Sequence, residues 1–200
     1  MRNFSRLLLA LSLASGLAFA QSPPPLRIQG DVLELKGSSL SIRSVAGDAL
    51  VLKLGDPLRV LSISQASFSA IQAGSYVAVT ALPQADGSLL ASRVNIFPES
   101  MRGLGEGHRP MAAQPGSTMT NATVTNVGDS MQTGKLTVQY KGGEKQVNVP
   151  AGLPIMLLEP ADRALLVPGT HLVVTATRSD DGGLTATSIT VGKNGTMPPL

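Results

Sequence analysis

Ala73–Phe97 reads AGSYVAVTALPQADGSLLASRVNIF, and Pro168–Gly192 reads PGTHLVVTATRSDDGGLTATSITVG. At a constant offset of 95 residues the two align without a gap. Gly74 meets Gly169, Val77 and Val79 meet Leu172 and Val174, and Asp86-Gly87 meets Asp181-Gly182. Leu89, Ala91, Val94 and Ile96 then meet Leu184, Ala186, Ile189 and Val191. Each stretch alternates apolar and polar residues, breaks at Asp-Gly, and resumes. A period of two sends successive side chains to opposite faces of a strand. Asp-Gly marks a tight hairpin because glycine accepts positive φ. Each stretch therefore predicts an antiparallel hairpin, Tyr76–Leu82 with Leu89–Phe97 and His171–Thr177 with Leu184–Val191. Val77 and Val79 should face one way, and Tyr76, Ala78 and Thr80 the other.

The duplication extends upstream. SQASFSAIQAG (64–74) and EPADRALLVPG (159–169) each predict one short helical turn, sending Phe68 and Ile71, or Leu165 and Leu166, to the core. Before them, Ile28–Leu35, Ser39–Val45, Leu50–Leu54 and Leu58–Ile63 read as strands. Ala122–Val127, Lys135–Tyr140, Lys145–Val149 and Ile155–Leu158 correspond in the second half. GDVLELKGSSLSIRS (30–44) matches ATVTNVGDSMQTGKLTVQY (122–140) loosely, with a longer turn. Self-similarity at a fixed spacing is the mark of a repeated structural unit. The predicted fold class is all-β: two tandem small six-stranded barrels, each with one short helical turn. Their bounds are 26–97 and 119–192, with a Gly/Pro-rich linker at 98–118 and a tail at 193–200.

With its GDVLEL start, its turn glycine (Gly74, Gly169) and its closing Asp-Gly hairpin, each half resembles the OB-like small barrels of exported bacterial proteins, an uncharacterised domain family. The resemblance implies an OB-like barrel in two copies. Its motifs are turn glycines and core apolars, which specify a fold and leave the chemistry open.

Residues 1–20, MRNFSRLLLALSLASGLAFA, place Arg2 and Arg6 before an apolar run and close on Ala18-Phe19-Ala20. That order is a secretory signal peptide with cleavage after Ala20, followed by a Pro-rich segment at 21–25. The run is shorter than the roughly 20 residues a membrane helix needs, and no later run reaches that length. Cleavage removes Arg2 and Arg6 from 16 Lys+Arg, leaving 14 against 13 Asp+Glu, a side-chain net charge of +1. There is no cysteine, hence no disulfide, and a bacterial periplasmic or secreted location is expected. Near-neutral charge and four remaining aromatics (Phe68, Tyr76, Phe97, Tyr140) exclude nucleic acid as an expected partner, since that binding needs clustered cations and stacking platforms.

Polar chemistry concentrates in GLGEGHRPM, Gly103–Met111, which holds one of the two histidines. Its G-x-G-x-G spacing is not the G-x-G-x-x-G of a dinucleotide loop, and prolines stand where the helix should run. A metal site would draw on His108, Glu106, Met101 and Met111, with Met119 nearby. Thioethers favour Cu(I), and imidazole suits copper or zinc, although zinc ordinarily takes three or four strong ligands. A hinge or partner-contact reading instead gives Glu106, His108 and Arg109 to hydrogen bonds that fix the barrels' orientation. The hinge is the preferred expectation. His171 aligns with Tyr76 and reads as a half-exposed strand residue. Asp48, Asp56, Asp86, Asp129, Asp180 and Asp181 fall in turns, where side chain–backbone bonding explains them. No catalytic residue and no cofactor is expected. The predicted function is a non-catalytic periplasmic binding or scaffold protein for a protein or small ligand. The alternative is copper or zinc handling through the linker.

Overall fold

Both Asp-Gly hairpins form in a computed structural model that describes residues 25–111, 114–128 and 133–200. Gly87 and Gly182 take φ of 82° and 84°. Asp86 and Asp181 each accept a backbone N–H two residues on, from Ser88 and Gly183. The regular structure of the described residues is nearly all strand. The first half gives β1 (Leu26–Lys36), β2 (Ser39–Ser44), β3 (Ala49–Ala66), β4 (Tyr76–Pro83) and β5 (Leu89–Phe97). β6 (Gly107–Pro110) follows, then β7 (Thr118–Gly128), β8 (Thr133–Tyr140), β9 (Gly143–Pro150), β10 (Ile155–Pro160), β11 (His171–Arg178) and β12 (Leu184–Gly192). Single 3-10 turns stand at Phe68–Ala70, Glu99–Met101 and Arg163–Leu165. The expected leader 1–20, residues 21–24, Asp129 and Met131 lie outside the described residues. Among the described residues no helix is long and apolar enough to cross a membrane.

Strand pairing closes on itself, so the architecture is a closed β-barrel. One circuit runs β1-β2-β3-β12-β11 and back to β1. A second runs β7-β8-β9-β5-β4 and back to β7. β10 lies between them, antiparallel to β3 and parallel to β5. Closure satisfies the main-chain groups that an open sheet would leave at its edges.

The strand exchange corrects the expected organisation. The units are not 26–97 and 119–192, because each ring takes three strands from one half and a hairpin from the other. The cause lies in β3. Leu50–Leu54 and Leu58–Ile63, expected as two strands, are one strand of 18 residues. It carries the chain out of the first ring before β4 begins, and β10 does the same in the other direction. The two hairpins present nearly identical apolar faces, and each closes the ring built from the other half's strands.

The registers repeat accordingly. Val60 lies opposite Ile189 and Val94 opposite Ile155, the same pair displaced by 95 residues. Bulges recur between Thr80 and Ala81 and between Thr175 and Ala176.

Each ring is filled from within. One core packs Val32, Leu40, Ile42 and Leu52 against Leu172, Val174, Ile189 and Val191. The other packs Val77, Val79 and Val94 against Val124, Leu136, Val138 and Val147. Where β3 passes β10, Leu61, Ile63, Met101, Met156 and Leu158 form a third cluster. Burying such a side chain is worth about 1.5–3 kcal/mol. Ile71 and Leu166 reach the cores as expected, whereas Phe68 is only half-buried and Leu165 is exposed. Leu166, the residue that follows the turn, takes the inward place.

Candidate functional site

β4 is buried on both faces. Val77 and Val79 enter the core, and Tyr76, Ala78 and Thr80, on the opposite face as expected, are also buried. What covers the second face at Tyr76 is the segment expected as a structureless linker. Glu99–Met101 makes a 3-10 turn that aims Arg102 back at the ring. Its guanidinium donates to Glu99 (2.7 Å to Oε2), to the Gly74 carbonyl (2.8 Å) and to Thr123 Oγ1 (3.1 Å). It also lies 5.8 Å from the centroid of the Tyr76 ring. Gly103, Gly105 and Gly107 then take φ of 81°, 59° and 131°. These positive-φ conformations favour glycine, and they turn the chain back on itself. The Leu104 carbonyl accepts from Tyr76 Oη (3.2 Å) and Asn121 Nδ2 (3.1 Å). The returning chain becomes β6, paired antiparallel with β7.

GLGEGHRPM is therefore a strap across one ring. Glu106 Oε1 accepts the Lys141 backbone N–H at 2.9 Å, and Arg109 donates to the Gly105 carbonyl at 2.8 Å. His108 lies opposite Thr120 and shares a 2.8 Å hydrogen bond between Nδ1 and Thr120 Oγ1. Its ring stacks near Tyr140, centroids 6.2 Å apart. Burial lowers the His108 pKa from its ordinary value, and the Lys145 ammonium lowers it further. Burial raises the Tyr76 pKa, with Glu106 adding to the effect.

The structure does not gather the expected metal ligands. Met101 is packed in the cluster between the rings. Met111 sits at the far end of β6, bordering a hollow with Thr80, Arg93 and Leu200. Met119 lies beside Thr80, its sulfur 4.0 Å from Oγ1. Glu106 and His108 are each bonded to β7 or to the residue after β8. Among the described residues no group of three His, Asp or Glu side chains stands together as a metal ion would require.

Arg102, the best-connected side chain of the strap, escaped the sequence reading. Its only local signal is the Glu99-x-x-Arg102 spacing. A second polar pair also escaped it. His171 is half-exposed as expected, but its Nδ1 lies 2.5 Å from Asp31 Oδ1. Asp31 sits directly opposite on β1. His171 borders a shallow hollow with Gly169, Thr170 and Gly192. A carboxylate-held imidazole has a fixed ring orientation and can pass a proton. It was not legible because its two members come from different halves of the chain.

Comparison with known proteins adds one likeness. No curated protein and no solved structure matches the chain. Residues 41–95, from β2 through β5 and so through strands of both rings, match the model of a family described as a domain of unknown function (DUF5666).

Proposed function

We propose that the chain is an exported, non-catalytic binding or scaffold protein of the bacterial periplasm, presenting the outer faces of its rings to a protein or small ligand. One observation carries this reading: each polar side chain of the Glu106–Arg109 cluster is bonded to the protein's own groups. Glu106 holds Lys141, His108 holds Thr120 and Arg109 holds Gly105. The cluster then serves folding, and recognition falls to the surface. The signal-like residues 1–20 support export, and the balanced charge after their removal supports a partner other than nucleic acid.

The experiment is native mass spectrometry of the purified protein and of His108→Ala, each titrated with Cu(I), Cu(II) and Zn(II). Neither protein should retain an ion. His108→Ala should still lose about 1 kcal/mol, a fall of roughly 2–4 °C in Tm. One ion held by the native protein and lost from the variant would overturn the reading. Copper or zinc handling by His108, Glu106, Met101 and Met111 would replace it.

A further inference from the structure

The two rings carry the same strand edge in two different states. Gly30 on β1 lies opposite Leu172, and Ala122 on β7 lies opposite Val77, so β1 and β7 occupy equivalent places. From Gly30 and from Ala122 onward, the two strands share one sequence of buried, half-buried and exposed residues. Before those residues they differ. Thr118 and Met119 are half-buried and Thr120 and Asn121 buried, whereas Leu26 and Arg27 are exposed and Ile28 and Gln29 half-buried.

β6 accounts for the difference. It lies along the free side of β7, with His108 opposite Thr120 and Arg109 opposite Met119. Among the described residues no strand takes that place beside Leu26–Ile28. The Gln29 carbonyl accepts from Val45 N at 3.0 Å, on the side away from β11. Main-chain groups alternate sides along an antiparallel strand. Arg27, two residues back, therefore turns its N–H and C=O to the same open side. Such unpaired groups are a template for another strand.

The surroundings set the chemistry of what would bind. Ile28 is half-buried against its own ring's core, and Val45, opposite Gln29, is 66% exposed. Arg27 and Arg43 are exposed, and neither has a carboxylate partner among the described residues. The Arg27 guanidinium donates to the Pro199 carbonyl at 3.3 Å. Asp31, the nearest acid on β1, is held by His171.

We infer that the Leu26–Ile28 edge binds an extended segment of a partner protein by strand addition, with an apolar residue against Ile28 and acidic residues beside Arg27 and Arg43. β6 supplies the pattern for such an occupant: a four-residue antiparallel strand. Where β6 sets His108 against Thr120, the occupant sets an apolar side chain against Ile28. Where β6 sets Arg109 against Met119, the occupant sets a carboxylate against Arg27. Main-chain bonds supply affinity in this mode and alternate side chains supply specificity, with charge fixing the register. Strand addition here rests on the chain being a binding protein, and it uses a surface away from the strap.

The test titrates the folded, isotope-labelled protein with a capped heptapeptide of alternating valine and glutamate, beside a valine and lysine counterpart. The Arg27 and Gln29 amides should shift and exchange more slowly with the acidic peptide only. Affinity should fall at least tenfold in Arg27→Glu and in Arg27→Pro. Proline is tolerated on an edge strand whose N–H faces outward, so an unchanged circular dichroism spectrum and Tm separate lost docking from lost folding. No binding, shifts elsewhere on the molecule, equal binding of the basic peptide, or full affinity in Arg27→Pro would overturn the inference. Concentration-dependent shifts of the same amides without peptide would also overturn it, in favour of a second copy. None of these outcomes bears on the ion titration, which separately decides between the scaffold reading and metal handling.

Discussion

Cutting the connector between the halves should leave the molecule whole. Gln114–Gly116 is an exposed turn, so a protease site inserted there can be cleaved after folding. If the rings interleave, separation would open both cores at once. In the first ring it would pull Val32, Leu40, Ile42 and Leu52 away from Leu172, Val174, Ile189 and Val191, all of them at most 2% exposed. At about 1.5–3 kcal/mol per side chain, that ring alone contributes on the order of 10–20 kcal/mol. The second ring contributes a similar amount, against a single association cost of about 4–15 kcal/mol. The middle of these ranges leaves a surplus of about 20 kcal/mol, which corresponds to a dissociation constant below nanomolar. On size-exclusion chromatography at about 10 nM, the cut protein should elute as the uncut one does, and denaturant should release two fragments. Two separate peaks under native conditions would refute the interleaving and return the fold to independent units at 26–97 and 119–192.

Three further perturbations read other parts of the structure. Leu172→Ala, in β11, should cost about 2–5 kcal/mol, and hydrogen exchange should show protection falling in β1 and β2, strands of the other half. Protection lost only in β7–β10 would contradict the pairing of β1 with β11. Gly134→Ala would place a methyl 2.3 Å from Phe68 Cε2. A loss of about 1–3 kcal/mol is expected in urea melts, relieved when Phe68→Ala is added. An additive double mutant would mean the two do not meet. His108 has a lowered pKa in the folded state, so the unfolded chain takes up its proton first as pH falls. The stability His108 contributes is then full above its ordinary pKa of about 6.5 and declines as pH drops through that value toward the folded pKa. The difference in unfolding free energy between native protein and His108→Gln should shrink from pH 7.5 to pH 5.5. A difference that grows would reverse the sign of the shift.

Much of this protein is local, and local features were legible in the sequence. Period-two alternation fixed which residues of β4, β5, β11 and β12 face a core. Asp86-Gly87 and Asp181-Gly182 fixed the hairpins, because the turn needs positive φ and a side-chain acceptor in those few residues. The strap was legible only in composition. Three glycines marked a turning chain, but the pairing of β6 with β7 depends on groups that residues 103–110 do not contain. Asp31 and His171 illustrate the same limit, since they stand 140 positions apart and meet only because β1 and β11 do.

The sequence by itself therefore determined most of the strands, the Asp-Gly turns and the inward faces of the two hairpins. Tertiary structure alone decided which hairpin completes which ring. The two hairpins carry the same alternation and nearly the same core side chains. No difference in local pattern distinguishes the pairings, and the choice falls to the course of β3 and β10 and to the strap that connects the halves.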